Sequence, residues 1–320
     1  MKPLALLRGL SAALALTVTA PAQAEPPRVI ATIKPIHSLV AGVMLGAGEP
    51  ELLLQGTSSP HSYAMKPSDA ASLGRAQIVF WVGDVLESFL VKPLQAQASG
   101  ARVIELMDAP GVILLRNREG VAHDGHQHGD ERKSKARRNT QGRQDHTEYD
   151  PHLWLDPENA KAIVISVRDA LTSADPDNAE IYRSNATRMQ DELSQLDREL
   201  RTALQGIREV PYVVFHDGYQ YFEKRYGLAA AGAVTLSPER QPGARRVQEI
   251  RARIATQKVR CGFSEPQFEP QLIRTVTEGL TVKTATLDPI GADIAPGPEA
   301  YAALLRRLAT SLNACLSGTT

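Results

Sequence analysis

Eight histidines carry most of the metal-binding chemistry available to this chain of 320 residues, and half of them fall in one stretch, HDGHQHGDERKSKARRNTQGRQDH, residues 123–146. There His123, His126 and His128 are separated by two residues and by one, with His146 further along. Three others stand apart: His61 in SPHSY, His152 in DPHLWLDP and His216 in FHDGY. Imidazole nitrogen suits zinc, copper, nickel or iron, and three imidazoles with one oxygen complete a tetrahedron around zinc. Taken singly, each of these histidines reads as an ordinary hydrogen-bonded residue. They lie far apart, and no HExxH joins any two of them.

The elements that would position them alternate. Arg28–Ile33, Glu51–Leu54, Gln77–Val82 and Arg102–Leu106 read as strands, with helices at 35–45, 67–75 and 84–97 between them. Residues 117–150 break the pattern with charges, Gly and His, and are expected to form a mobile loop. Asp156-Pro157-Glu158 announces a capped helix to about Leu171. A longer one spans 177–207, its stripe Met189, Leu193, Leu196, Leu200, Leu204 and Ile207 recurring at three and four. That helix reads equally as a spine between two lobes or as an ordinary packed helix. Strands at 212–215, 259–263 and 281–287 follow, with helices at 218–226, 243–257, 267–279 and 298–315. Strands alternating with helices give an α/β chain with parallel-type sheets, in two lobes separated by a helix. His61, His152, His216 and Asp288 all lie in turns or just past strand-like runs, where α/β sheets place their ligands. His37 follows Pro35 on an amphipathic helix and is read as a packed residue.

Lys2 and Arg8, the run LSAALALTVTA and Ala22-Gln23-Ala24 read as a cleaved secretory signal over residues 1–24. No Cys near that point offers a lipid anchor. The expected organisation is then an N-terminal lobe over 25–175, a linking helix over 176–208 and a C-terminal lobe over 209–320. The charges balance, 36 basic against 36 acidic, which argues against a nucleic-acid partner. In an exported protein the two cysteines, Cys261 and Cys315, are expected to form one disulfide, two buried thiols being the other reading.

The blocks ATIKPIHSLVAGVM, DPHLWLDPENAKAI, YVVFHDGYQYFEKRYGL, SPERQPGARRVQEIR, FSEPQF and TLDPIGADI occur in this order. Together they resemble the zinc-binding receptors of bacterial ABC uptake systems, the ZnuA type within the metal-specific solute-binding family. The resemblance implies two α/β lobes joined by one long rigid helix, with the metal in the cleft between them. It carries the ligands onto His61, His152 and His216, and the Cys261–Cys315 bridge matches its Gram-negative members. Some members place a Glu directly before the first ligand; here that position is Pro60, which has no donor. The fourth place then goes to Asp288, to water or to a loop histidine.

The resemblance also puts His123, His126, His128 and His146 in an accessory insertion that captures metal weakly. Wrapping an ion with a loop costs ordering entropy, so the main site should lie elsewhere. It implies a periplasmic monomer that carries Zn2+ to an ABC membrane permease, with a periplasmic zinc chaperone as a further partner. A manganese-type receptor or a related surface adhesin would keep the fold and change the metal or the partner. A zinc hydrolase is the contrasting class, since three imidazoles and an open position also activate water. No HExxH or G-x-S-x-G supports it, and Glu265 and Glu269, its candidate bases, read as surface residues.

Overall fold

The computed structural model describes residues 25–98, 100–118, 145–235, 238 and 242–318. The expected signal segment and His123, His126 and His128 lie outside the described residues. Strands β1 (Val29–Ala31), β2 (Glu51–Leu52), β3 (Ile78–Trp81) and β4 (Arg102–Glu105) form a parallel sheet in the order β2-β1-β3-β4. Strands β5 (Tyr212–His216), β6 (Ala230–Thr235), β7 (Cys261–Ser264) and β8 (Lys283–Thr286) form a second one in the order β6-β5-β7-β8. The two orders are the same, so the halves share a topology although no internal repeat is visible in their residues. Parallel sheets are covered on both faces and their central strands therefore carry unbroken apolar runs. Ile78-Val79-Phe80-Trp81 and Tyr212-Val213-Val214-Phe215 are buried throughout.

Helices α1 (Lys34–Met44), α2 (Pro67–Arg75) and α3 (Val91–Ala96) connect the first sheet. α4 (Pro157–Ala174) is capped by Asp156, whose carboxylate accepts the Glu158 N–H. α5 (Ala179–Ala203) is the long helix, its last turn passing into a 3-10 turn at Gln205–Ile207, and the short α6 (Gln220–Tyr226) follows β5. α5 packs on α1 and α4 from the first half and on α9 (Ala300–Leu316) from the second, so it touches both lobes. At Gly42 the approach of α1 to α5 is close enough that a Cβ would meet Met189 at 2.6 Å. One apolar cluster runs from the first sheet through α5 and α9 into the second. A smaller cluster lies on the outer face of the second sheet under α7 (Ala244–Thr256) and α8 (Gln271–Thr277). Cys261, which opens β7, is disulfide-bonded to Cys315 near the end of α9.

Two elements differ from the sequence pattern. The expected helix over 84–97 is broken into a 3-10 turn at Ser88–Leu90 and the short α3. Glu87 leaves helical geometry there and turns inward, where its carboxylate accepts the Val82 N–H at 2.7 Å. β6 was invisible because Ala230-Ala-Gly-Ala-Val-Thr235 has almost no bulky β-former. Its Gly232 leaves room for Arg253, whose guanidinium donates to Ala231 O at 3.1 Å.

The lobes are tied by polar contacts as well as by the core. Lys34, at the start of α1, is buried and donates to the carbonyls of Gly291, Ala292 and Ile294 at 2.5–2.7 Å. The Trp154 indole donates to Pro289 O at 2.8 Å, and Tyr301 OH to Trp154 O at 2.7 Å.

Candidate metal centre

His61, His152 and His216 converge from three segments of the chain. His61 lies in the loop between β2 and α2, where its N–H reaches Ser59 Oγ. His152 stands just before the 3-10 turn Leu153–Leu155 that leads into α4. It is held there by Asp150, whose Oδ1 accepts both the His152 N–H at 2.9 Å and Nδ1–H at 2.8 Å. His216 ends β5, and Glu265 directly follows β7. β5 and β7 are the adjacent strands whose onward connections run to opposite sides, and ligand sites form outside such switch points.

The Nε2 atom of His152 lies 3.2 Å from that of His61 and 3.1 Å from that of His216. A tetrahedral zinc ion with Zn–N bonds of about 2.05 Å sets its nitrogens about 3.3 Å apart. From behind, Asp150 accepts from His152 Nδ1–H at 2.8 Å and Glu265 from His216 Nδ1–H at 2.5 Å. Each carboxylate fixes the tautomer in which Nε2 is a bare lone pair facing the other rings. Gly218 is required by the same crowding, because a Cβ there would lie 2.4 Å from His216 Nε2 and 3.0 Å from His152 Nε2. The cavity between them measures about 10 Å³, room for one ion or water, and is also lined by Pro60, Trp154 and Gln267.

The electrostatics favour neutral rings in two of the three cases. Burial, then the charges of the neighbouring imidazoles, holds His61 well below the usual histidine value. His152 is lowered well below it in the same way, by burial and then by His216. His216 is also penalised by burial, but the charge and hydrogen bond of Glu265, with Asp217 and Asp150, outweigh this and raise it. Burial pushes Asp150 up to about 7 against the lowering effect of the His152 N–H. A cation among the Nε2 atoms would favour its ionised form.

The other candidates go elsewhere. Asp288 is outside the three-histidine group. Its Oδ1 accepts from the N–H groups of Ile290 and Gly291 and from Gln267 Nε2, and its Oδ2 from the Ala292 N–H. The carboxylate shapes the loop that Lys34 grips, and its oxygens accept from Gln267 and three backbone amides. His146 is buried and faces Asp108, away from the cleft group. His37 is packed, with Nε2 3.0 Å from Pro50 O. Glu269 is exposed as expected, whereas Glu265 is 3% exposed and so is not the surface residue the sequence suggested. Glu265 and Asp150 are the residues that sequence reasoning missed. Their only signal was position, one directly after a strand and one two residues before a histidine.

Two α/β lobes about a long helix, with imidazoles from both lobes meeting in one pocket, define a two-lobed metal-binding protein. The chain belongs to the ZnuA family: the family described as zinc-uptake complex component A, periplasmic, matches residues 29–315. The high-affinity zinc uptake system protein ZnuA of Brucella suis is 41% identical over 309 residues, covering 92% of each chain. That of Yersinia pestis is 35% identical over 311 residues, covering 94% of this chain and 95% of its own. Among solved structures, a zinc-bound ZnuA deletion mutant aligns with a TM-score of 0.74 at 21% identity, over 92% of this chain and 100% of its own. The periplasmic zinc-binding protein TroA of Treponema pallidum gives 0.74 at 21%, over 91% and 99%. At such identity these two speak for the fold alone. Among the described residues no helix is long and apolar enough to cross a membrane.

Proposed function

We propose that this chain is a periplasmic receptor that binds one Zn2+ through Nε2 of His61, His152 and His216 and delivers it, as a monomer, to an ABC permease. The supporting observation is the approach of the three Nε2 atoms to 3.1–3.2 Å with the far nitrogens of His152 and His216 held by carboxylates. Water fills the fourth position. Gln267 is placed to receive it, because its Nε2 is committed to Asp288 while its Oε1 is buried without a partner among the described residues. The ion spans His61 and His152 of the N-terminal lobe, residues 25–175, and His216 of the C-terminal lobe, residues 209–320. Only the closed arrangement satisfies all three ligands, so binding favours closure. The relatives named for zinc uptake support a receptor over a hydrolase, and Asp150 and Glu265 are engaged in orienting the ligand rings.

Titration of metal-stripped protein with Zn2+ and Mn2+ against a chromophoric chelator tests the reading. One tight zinc per chain with poor manganese competition is expected. Tight manganese binding would make it a manganese receptor, and the lack of a tight site for either ion would return the three histidines to structural roles.

A further inference from the structure

A second set of ligand-type side chains converges among the described residues: Glu105, Asp108 and His146, whose ligand atoms lie within 4.8 Å of one another. Glu105 ends β4 and Asp108 ends the 3-10 turn Leu106–Asp108 that follows. Both acids therefore lie just past the carboxyl end of a strand, in the place where α/β sheets hold ligands. His146 arrives from a distant part of the chain. Its carbonyl accepts the Tyr149 N–H at 2.9 Å, and Tyr149 in turn pairs with Arg116 in an antiparallel bridge. The backbone that carries the ring is thus fixed to the segment leaving the first sheet.

The His146 ring is 3% exposed, and its Nε2 points at Asp108 Oδ1 from 2.8 Å. Its Nδ1 is buried and has no hydrogen-bond partner among the described residues. A buried imidazole with one nitrogen left bare is costly, and the carboxylate that its other nitrogen, Nε2, serves is 38% exposed and could be hydrated without it. A surface ion pair gives no reason to bury the imidazole. The third member is held in place as well. Glu105 Oε1 lies over Gly83, where a Cβ would meet it at 2.7 Å.

We propose that Glu105, Asp108 and His146 form a second divalent-cation site, specific for borderline transition ions such as Zn2+ and weaker than the histidine cleft. Two carboxylates balance the charge of a divalent ion, and the imidazole selects against magnesium and calcium. The site is weaker because the ion must displace the Asp108–His146 hydrogen bond and because Asp108 remains open to water. It is distinct from His123, His126 and His128.

The test is a zinc titration of the full mature chain against a weak chromophoric chelator, reading the second equivalent after the first has bound. His146→Gln and Asp108→Asn should each weaken that second equivalent by at least about tenfold, as loss of a metal contact does. A triple variant, H123N/H126N/H128N, should leave it within about twofold. The first equivalent, unchanged in all of these, shows that each variant is folded; should His146→Gln lose it, Asp108→Asn, at a partly exposed position, carries the test. The proposal is overturned if the second equivalent follows the triple variant, survives Asp108→Asn, or is absent from the unaltered chain. Failure of the first equivalent in the unaltered chain would count against the cleft reading instead.

Discussion

The cleft and the foot of the 119–144 segment both present imidazole beside carboxylate, but in opposite order. In the cleft the carboxylates stand behind the rings: Asp150 and Glu265 take the Nδ1–H groups of His152 and His216, and the Nε2 atoms face one another. At the foot the carboxylate stands in front, with Asp108 on His146 Nε2 and the far nitrogen bare. A carboxylate behind a ring fixes its tautomer and raises its basicity toward an ion. One in front must be displaced or shared when the ion arrives. The difference predicts one tight and one weak site.

Removing a cleft ligand should have the largest effect. His216→Ala should weaken zinc binding by more than about 100-fold, beyond what loss of an outer partner costs, because nothing near it can replace the nitrogen. Chelator competition measures this, and near-unaltered affinity would abolish the contrast between the regions. Next come the carboxylates behind the rings. Asp150→Asn and Glu265→Gln should each cost about 10–100-fold in zinc affinity, with the first equivalent still stoichiometric.

The pH dependence sharpens the same contrast. His61 and His152 are held well below the usual value by burial, so near neutrality they have no proton to give up when zinc binds. His216 is raised, since Glu265 with Asp217 and Asp150 overcomes its burial. Below the His216 value, zinc must therefore displace one proton and affinity should fall about tenfold per pH unit. Above it affinity should level off. In Glu265→Gln, burial is less opposed, and the plateau should extend to lower pH. Isothermal titration in buffers of different ionisation enthalpy counts the protons: up to one from His216, with a further contribution from Asp150 around its value of about 7. Release of three near neutrality would contradict this assignment.

Much of this was legible in the residues. The alternation of apolar runs with helical stretches gave an α/β chain, and the cap at Asp156 and the stripe along α5 were readable because each depends on local order. The convergence of His61, His152 and His216 was not readable from spacing, since 91 residues separate the first two and 64 the last two. It came from the resemblance of the surrounding blocks. Strand β6 escaped because small residues form it only when a neighbouring strand supplies the partner. Glu265 escaped because a lone carboxylate after a strand looks the same whether it faces water or an imidazole. For Asp288 the reading named the neighbourhood but not its loop-building contacts, because nothing local shows that three consecutive amides ahead of it will turn back onto its carboxylate.

That last point yields the smallest expected effect and the finest test of the cleft. With Asp288 shaping a loop and water completing the ion's shell, Asp288→Asn should lower zinc affinity by less than about tenfold, the low end of an outer-partner loss. It should still destabilise the apo protein. The amides of residues 290–292 now donate to a charged acceptor, and hydrogen bonds to charged groups contribute about 1.5–3 kcal/mol each, only part of which a neutral amide oxygen retains. The loop also presents the carbonyls gripped by Lys34, so its loosening should reach the contact between the lobes. Thermal melts of apo and zinc-loaded protein, read beside the chelator titration, separate the two roles. A lower apo melting temperature with nearly intact zinc affinity fits a residue that builds the loop. A loss of affinity as deep as that of His216→Ala, with an unchanged apo melt, would make Asp288 a ligand in the closed, metal-bound form.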